Sequence, residues 1–145
     1  MEAAALAQTG MRHGRAPFRR RQRNRVADVF EALREYRKSG EKFGVIVLDP
    51  PAFTKTADTV KAGYKGYNDI NANALKLVEK GGYLVTCSCS QHLTLPLFLQ
   101  MIKESVFESG VRAKLVELRT QGKDHAVCIG YDESLYLKVA VIKVL

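Results

Sequence analysis

The sequence predicts an α/β domain in which parallel strands alternate with helical crossovers and an antiparallel hairpin completes the sheet. Three observations predict it. Apolar runs at 43–48 and 83–86 alternate with stretches of helical periodicity. Both runs break off abruptly, the first in Asp49-Pro50-Pro51 and the second in Cys87-Ser88-Cys89. The last third then changes to two strand-like runs with no helical pattern between them, which pair most simply as a hairpin.

Residues 1–25 show little periodicity beyond an alanine-rich start and are read as an arm, so the folded part is 26–145. Val26, Val29, Phe30, Leu33 and Tyr36 recur every three or four residues, which makes an amphipathic helix closed by Ser39-Gly40. The strand at 43–48 is apolar apart from Gly44 and is expected to be buried on both faces. Lysines and tyrosines make 54–67 a polar loop, and a helix follows over 68–80 with Ile70, Ala74, Leu75 and Val78 on one side, stopped by Gly81-Gly82. The second strand, 83–86, runs into the cysteines. Thr94 can cap the next helix, Pro96 suits its first turn, and Gly110 ends it. Strands at 113–118 and 136–144 form the hairpin.

With 145 residues and 46% hydrophobic content the chain can bury one modest core, and no apolar stretch is long enough to span a membrane. Glu2 stands where a secretory leader needs basic residues, so no such leader is expected. Three cysteines, Cys87, Cys89 and Cys128, are an odd and sparse set, which argues against a disulfide framework and for a reducing compartment, the cytoplasm by default. The net charge is +8 and most of it lies in the arm, which holds seven arginines against Glu2. Such a cluster can grip phosphates of a nucleic acid, in a salt-dependent way; the alternative is a merely solvated terminus.

In an open α/β sheet, ligands bind beyond the carboxyl ends of the parallel strands. Asp49 and Cys89 sit at two such ends, on strands joined by one crossover, and are therefore expected to face one substrate. A thiolate adds to an electron-poor carbon, and a carboxyl beside it can hydrogen-bond the attacked ring; together these activate a pyrimidine at C5. A buried structural thiol is the alternative for Cys89, and Cys87 is read as packing. A zinc site from Cys87, Cys89 and His92 lacks a fourth ligand of fitting spacing.

Three motifs occur in order: Asp49-Pro50-Pro51-Ala52-Phe53, then Tyr64-Lys65-Gly66-Tyr67-Asn68-Asp69-Ile70-Asn71, then Thr86-Cys87-Ser88-Cys89-Ser90. With the terminal hairpin they resemble the C-terminal half of the catalytic domain of RlmI-type, S-adenosylmethionine-dependent ribosomal RNA cytosine-5 methyltransferases, over about residues 26–145. The resemblance implies a Rossmann-like class I methyltransferase sheet, S-adenosyl-L-methionine as methyl donor and ribosomal RNA as partner. It makes Cys89 the nucleophile on C6 of cytosine, and gives Asp49 the task of holding the base and the reacting end of the donor. Asp28, Asp49, Pro50 and Pro51 fall at donor-binding positions; Pro51, Phe53, Tyr64 and Lys65 fall where the RNA base and its neighbours would lie. Asp28 could equally be a helix cap, and Tyr64 and Lys65 an ordinary solvated loop.

The sequence departs from that family in three places. Where better-known cytosine-5 enzymes have a second cysteine after the proline, Ala52 stands here. No strand precedes Gly10-x-x-x-Gly14, so the glycine-rich turn that holds the donor has no counterpart, and the RNA-binding domain with which such proteins begin is missing. A truncated form is therefore expected, with the strand at 43–48 left at an open edge where a second copy would pair or aggregation would start. Two other functions compete: a non-catalytic RNA-binding or interaction remnant of the fold, and a methyltransferase of different base specificity. Amine methylation needs no thiol and places an aromatic directly after Asp-Pro-Pro, where this chain has Ala52.

Overall fold

The computed structural model describes residues 27–54, 56–131 and 134–145; the arm, Val26 and Lys55 lie outside the described residues. In chain order the elements are α1 (Val29–Ser39), β1 (Phe43–Leu48), α2 (Val60–Leu75), β2 (Val78–Ser88), α3 (Leu95–Ser109), β3 (Ala113–Arg119) and β4 (Lys138–Val144). The four strands form one sheet in the order β1-β2-β4-β3. β1 and β2 are parallel, and β4 runs antiparallel to both β2 and β3. The expected α/β class and terminal hairpin are present, with β4 inserted between β2 and its hairpin partner.

α1 begins where Asp28 accepts hydrogen bonds from the amides of Phe30 (2.9 Å) and Glu31 (3.3 Å), and ends at Gly40, whose φ of 72° lies in the left-handed region. This is the capping role that the sequence left open for Asp28. Asp28→Ala is expected to cost about 1 kcal/mol in a urea titration; an unchanged midpoint would show that the cap contributes nothing.

The largest difference from expectation is α2. It spans Val60–Leu75, so the supposed loop supplies its first two turns and Gly81-Gly82 does not end it. Gly63 and Gly66 gave the segment its loop-like composition, yet both sit inside the helix where the chain of Phe53 and Thr54 presses against it. A Cβ on Gly63 would lie 3.0 Å from the Phe53 carbonyl carbon and oxygen, and one on Gly66 would lie 3.3 Å from the Phe53 ring. Close approach, not flexibility, explains these glycines.

β2 accordingly starts at Val78, earlier than expected. Its first part is irregular: Phe43 pairs with Val78 but Val45 with Tyr83, so extra residues of β2 bulge away from β1. Gly81 takes φ of 83° there, and a Cβ on Gly82 would come within 2.6 Å of the Gly44 carbonyl oxygen. The two glycines therefore shape a bulge in a strand.

One apolar cluster joins Val29 and Leu33 of α1, Tyr67, Ile70 and Leu75 of α2, Phe98 and Met101 of α3, and the inward residues Ile46, Leu48, Leu84, Ala140 and Ile142 of the sheet. All three helices thus contribute to the same core. The expectation that β1 is buried on both faces is corrected: Phe43, Ile46 and Leu48 are buried, whereas Val45 and Val47 are only half-buried. Val85, Cys87, Val139 and Val141 share that half-covered condition. Strand alternation sorts them onto the side of the sheet away from the cluster. α2 and α3 are pinned by Tyr64 donating to Glu104 (2.7 Å), Asn68 to Glu108 (2.8 Å) and Ser105 to Asn68 (2.7 Å).

Candidate active site at the strand ends

β1 ends at Leu48, opposite Thr86 of β2, so Asp49 leaves the sheet beside Cys87, which stays in β2 and pairs with Val139 of β4. Asp49 is exposed, Pro50 buried and Pro51 exposed; Cys87 and Cys89 are half-buried free thiols. Burial, then the Asp49 carboxylate, then Cys89 push the Cys87 thiol up to about 11. Asp49, Cys87 and Cys89 therefore share one electrostatic neighbourhood, and Cys87 stays protonated at neutral pH.

The raised Cys87 value carries a sign. A thiol whose folded pKa exceeds its ordinary value of 9.0 contributes stability that is present below that value and lost as pH rises through about 11. Denaturant titrations on either side of this window should show the parent chain losing more stability than Cys87→Ala. Equal losses would remove Cys87 from the account.

The two loops that carry these groups are tied together by hydroxyls. Tyr67, fully buried on α2, places its hydroxyl 2.9 Å from Ser90 Oγ and 3.4 Å from the Pro51 carbonyl, and accepts from the Phe53 amide at 3.4 Å. Ser90 Oγ in turn accepts from the Thr54 amide at 3.4 Å, and the Ser90 amide donates to Ser88 Oγ at 3.3 Å. Lys138, at the start of β4 and only 5% exposed, donates from Nζ to the Ser90 carbonyl at 2.7 Å. Burial holds the Lys138 ammonium below its usual value, and Cys89 opposes that shift. Thr54 Oγ1 is buried in the same region without a partner among the described residues.

The sequence set Asp49 and Cys89 at these strand ends, gave Ser90 and Lys138 no role, and placed Tyr67 in a loop, whereas it lies in α2. The signal for Tyr67 and Ser90 was their membership of the quoted motifs. Lys138 offered only a cation at the head of an apolar strand. Phe53, expected at the substrate, is partly buried against Tyr67 (ring centroids 4.6 Å apart) and Phe30 (6.3 Å). The Phe30 contact brings the N-terminal turn of α1 beside Phe53. Tyr64 and Lys65 are not brought to Asp49 and Cys89: they line an open depression of about 600 Å³ between α2 and α3, with Lys61, Asn68, Glu104 and Glu108. There the Tyr64 hydroxyl is raised to about 12, by burial first and then by its bond to Glu104. No group of three or more His, Cys, Asp or Glu among the described residues is placed to hold a metal ion. No described helix is long and apolar enough to cross a membrane.

No protein-family model matches the chain. Among curated proteins, the Ribosomal RNA large subunit methyltransferase I of Aeromonas salmonicida (strain A449) is 42% identical over 116 residues, covering 80% of this chain and 29% of that protein. The protein of the same name from Klebsiella pneumoniae subsp. pneumoniae is 43% identical over 111 residues, 77% of this chain and 28% of its own. That of Vibrio vulnificus (strain CMCP6) is 41% identical over 119 residues, 82% and 30%. The chain thus spans less than a third of the length of these relatives. A solved structure described as a candidate SAM-dependent methyltransferase from Streptococcus mutans superposes with a TM-score of 0.68 at 24% identity, covering 81% of this chain and 30% of that one. A structure described as a candidate methyltransferase complexed with SAH gives 0.69 at the same identity, again over 81% and 30%. The chain thus superposes on part of a methyltransferase fold.

Proposed function

We propose that this chain, a homologue of one stretch of the ribosomal RNA large subunit methyltransferase I proteins, carries the cysteine half of a site that methylates C5 of cytosine in large-subunit ribosomal RNA. The observation that supports it is the convergence of Asp49 and Cys89 at the ends of the adjacent parallel strands β1 and β2. In this reading Cys89 acts as a thiolate and forms a bond to C6. The electron pair of the C5–C6 double bond moves toward C5, which thereby becomes nucleophilic. Asp49 hydrogen-bonds the ring and fixes its orientation, and the exposed Pro51 supplies a wall for a base taken out of its stack. Once C5 is methylated, loss of its proton restores the double bond and expels the Cys89 sulfur as thiolate. Ala52 carries no acid–base group, so that proton leaves to water or to another residue.

S-adenosyl-L-methionine, when bound, supplies the methyl group as an electrophile. The exposed carboxylate of Asp49 and the rigid Pro50-Pro51 turn fit the reacting end of such a donor. Asp28 already spends one carboxylate oxygen on the α1 cap, which leaves its other oxygen for the donor. No described strand ends in a glycine-rich turn, so these residues form one wall of a donor site. That observation favours a second reading, an RNA-binding or interaction module in which the arginine-rich arm grips phosphates. β1 also lies at the edge of the sheet, and a second copy pairing there is the proposed assembly; a monomer by light scattering would remove it.

Calorimetric titration with S-adenosylhomocysteine separates the two readings. Saturable binding in the range of about 1–100 μM supports the methyltransferase. Absence of binding, together with tight and salt-sensitive retention of ribosomal RNA, supports the module and ends the catalytic reading for the isolated chain.

A further inference from the structure

We infer that Tyr67 and Ser90 form a latch that sets the spacing of the two strand-end loops, which makes Tyr67 a positioning residue for Cys89 and Asp49. The inference rests on reading Cys89 as the nucleophile. It begins from where the hydroxyls lie: Tyr67 is 0% exposed and Ser90 1%, so neither is placed to touch a substrate. Each nevertheless bonds across from one loop to the other. Tyr67 Oη stands 2.9 Å from Ser90 Oγ, the shortest contact of the group. At 3.4 Å in each case, the Phe53 amide donates to Tyr67, Tyr67 donates to the Pro51 carbonyl, and the Thr54 amide donates to Ser90. One assignment of protons satisfies all four bonds, with the Ser90 hydroxyl donating to Tyr67. The chain of bonds leaves the Asp-Pro-Pro loop at Thr54, passes through Ser90 and Tyr67, and returns to the same loop at Pro51.

Both ends of the latch are themselves held. On α2, Gly63, Gly66 and Tyr67 follow one another at the spacing of a single helix face. A Cβ on Gly63 would stand 3.0 Å from the Phe53 backbone, and one on Gly66 would stand 3.3 Å from the Phe53 ring, so the loop seats against the face that carries Tyr67. Ser90 is pinned through its backbone. Its amide donates to Ser88 Oγ at 3.3 Å, and its carbonyl accepts from Lys138 Nζ at 2.7 Å and from the Leu93 amide at 3.3 Å. Ser88 and Ser90 are buried whereas Cys87 and Cys89 are half-buried, the alternation of an extended chain. Cys89 is thus turned away from the latch, and the residue after it is the fixed point from which its sulfur is aimed. The other loop repeats the arrangement, with Pro50 buried and Asp49 exposed. A thiol and a carboxyl that serve one ring must be held at one spacing, and the latch joins the loops that carry them.

Each variant perturbs one side of the latch and is read on the other, without methyl transfer. In a Cys87→Ala/Cys128→Ala background Cys89 is the sole thiol. There Tyr67→Phe, which removes only the hydroxyl, is expected to speed alkylation of Cys89 by iodoacetamide about fivefold. Conversely, Ser90→Ala is expected to speed hydrogen exchange at the Phe53 amide, which is bonded to Tyr67, by about fivefold in NMR spectra. The double variant should exceed neither single one by more than about twofold, because both remove the same contact. Denaturant midpoints measured in parallel establish that each chain is folded under the assay conditions. A hydroxyl that served packing alone would lower the midpoint and leave the alkylation of a half-buried thiol in the folded chain unchanged. Parent rates at either reporter, or additive effects in the double variant, overturn the inference. Should Tyr67→Phe fail to fold, Ser90→Ala decides alone through the Phe53 amide. If both reporters respond but Cys89→Ala still transfers methyl groups, the nucleophile reading fails while the latch stands.

Discussion

On the proposed cytosine-5 mechanism, Cys89→Ala is expected to lower methyl transfer to large-subunit ribosomal RNA by about 10⁴-fold, with binding of S-adenosylhomocysteine unchanged. The reason is chemical. C5 of cytosine is a poor nucleophile until a group adds at C6, and of the two half-buried free thiols at these strand ends Cys87 is held protonated. Cys87→Ala should behave differently, since that sulfur is held as a thiol up to about 11 and is not poised to attack. Transfer of a radiolabelled methyl group to RNA measures both variants. Should Cys89→Ala retain activity within about tenfold of the parent, the reaction does not proceed through this sulfur, and chemistry at a base nitrogen becomes the better account.

Gly63→Ala should destabilise the fold by about 1 kcal/mol in urea. Two effects compete. Alanine is favoured over glycine inside a helix by about 1 kcal/mol, whereas forcing an extra methyl group into a closed space costs about 1–3 kcal/mol. At Gly63 the new carbon would meet the Thr54 methyl group and stand 3.0 Å from the Phe53 backbone. The Phe53 amide is also bonded to Tyr67, and Thr54 is 98% buried, so neither gives way readily. Steric cost therefore wins. A stabilised variant would mean that the Phe53–Thr54 segment yields easily, and with it the tie to Ser90.

Local chemistry was well written into the sequence. Asp28 and Gly40 cap α1 by rules that need only neighbouring residues, and the apolar run of β1 and the alternation of β4 were plain in the order of side chains. The junction of β1 with β2 was also legible, because a helical crossover between two parallel strands leaves few alternatives. α2 was misjudged because Gly63 and Gly66 mean flexibility in a loop and closeness in a packed helix, and only the position of Phe53 distinguishes the two. The same limit hid the hydroxyl ties and Lys138. Tyr67, Ser90 and Lys138 meet through contacts between residues far apart in sequence, and no periodicity encodes such a meeting.

The placement of β4 between β2 and β3 has a consequence for how the chain acquires its shape. β3 is synthesised well before the strand that pairs with it, and β1 and β2 can associate through their intervening helix long before either meets β4. β4 is thus the keystone that converts two separate pieces into one sheet. On the ribosome, β3 would wait with both edges unpaired, a state exposed to wrong pairing until 138–144 emerge. Nascent chains arrested before β4 should be digested by protease, and a few residues of further growth should make them resistant in a single step.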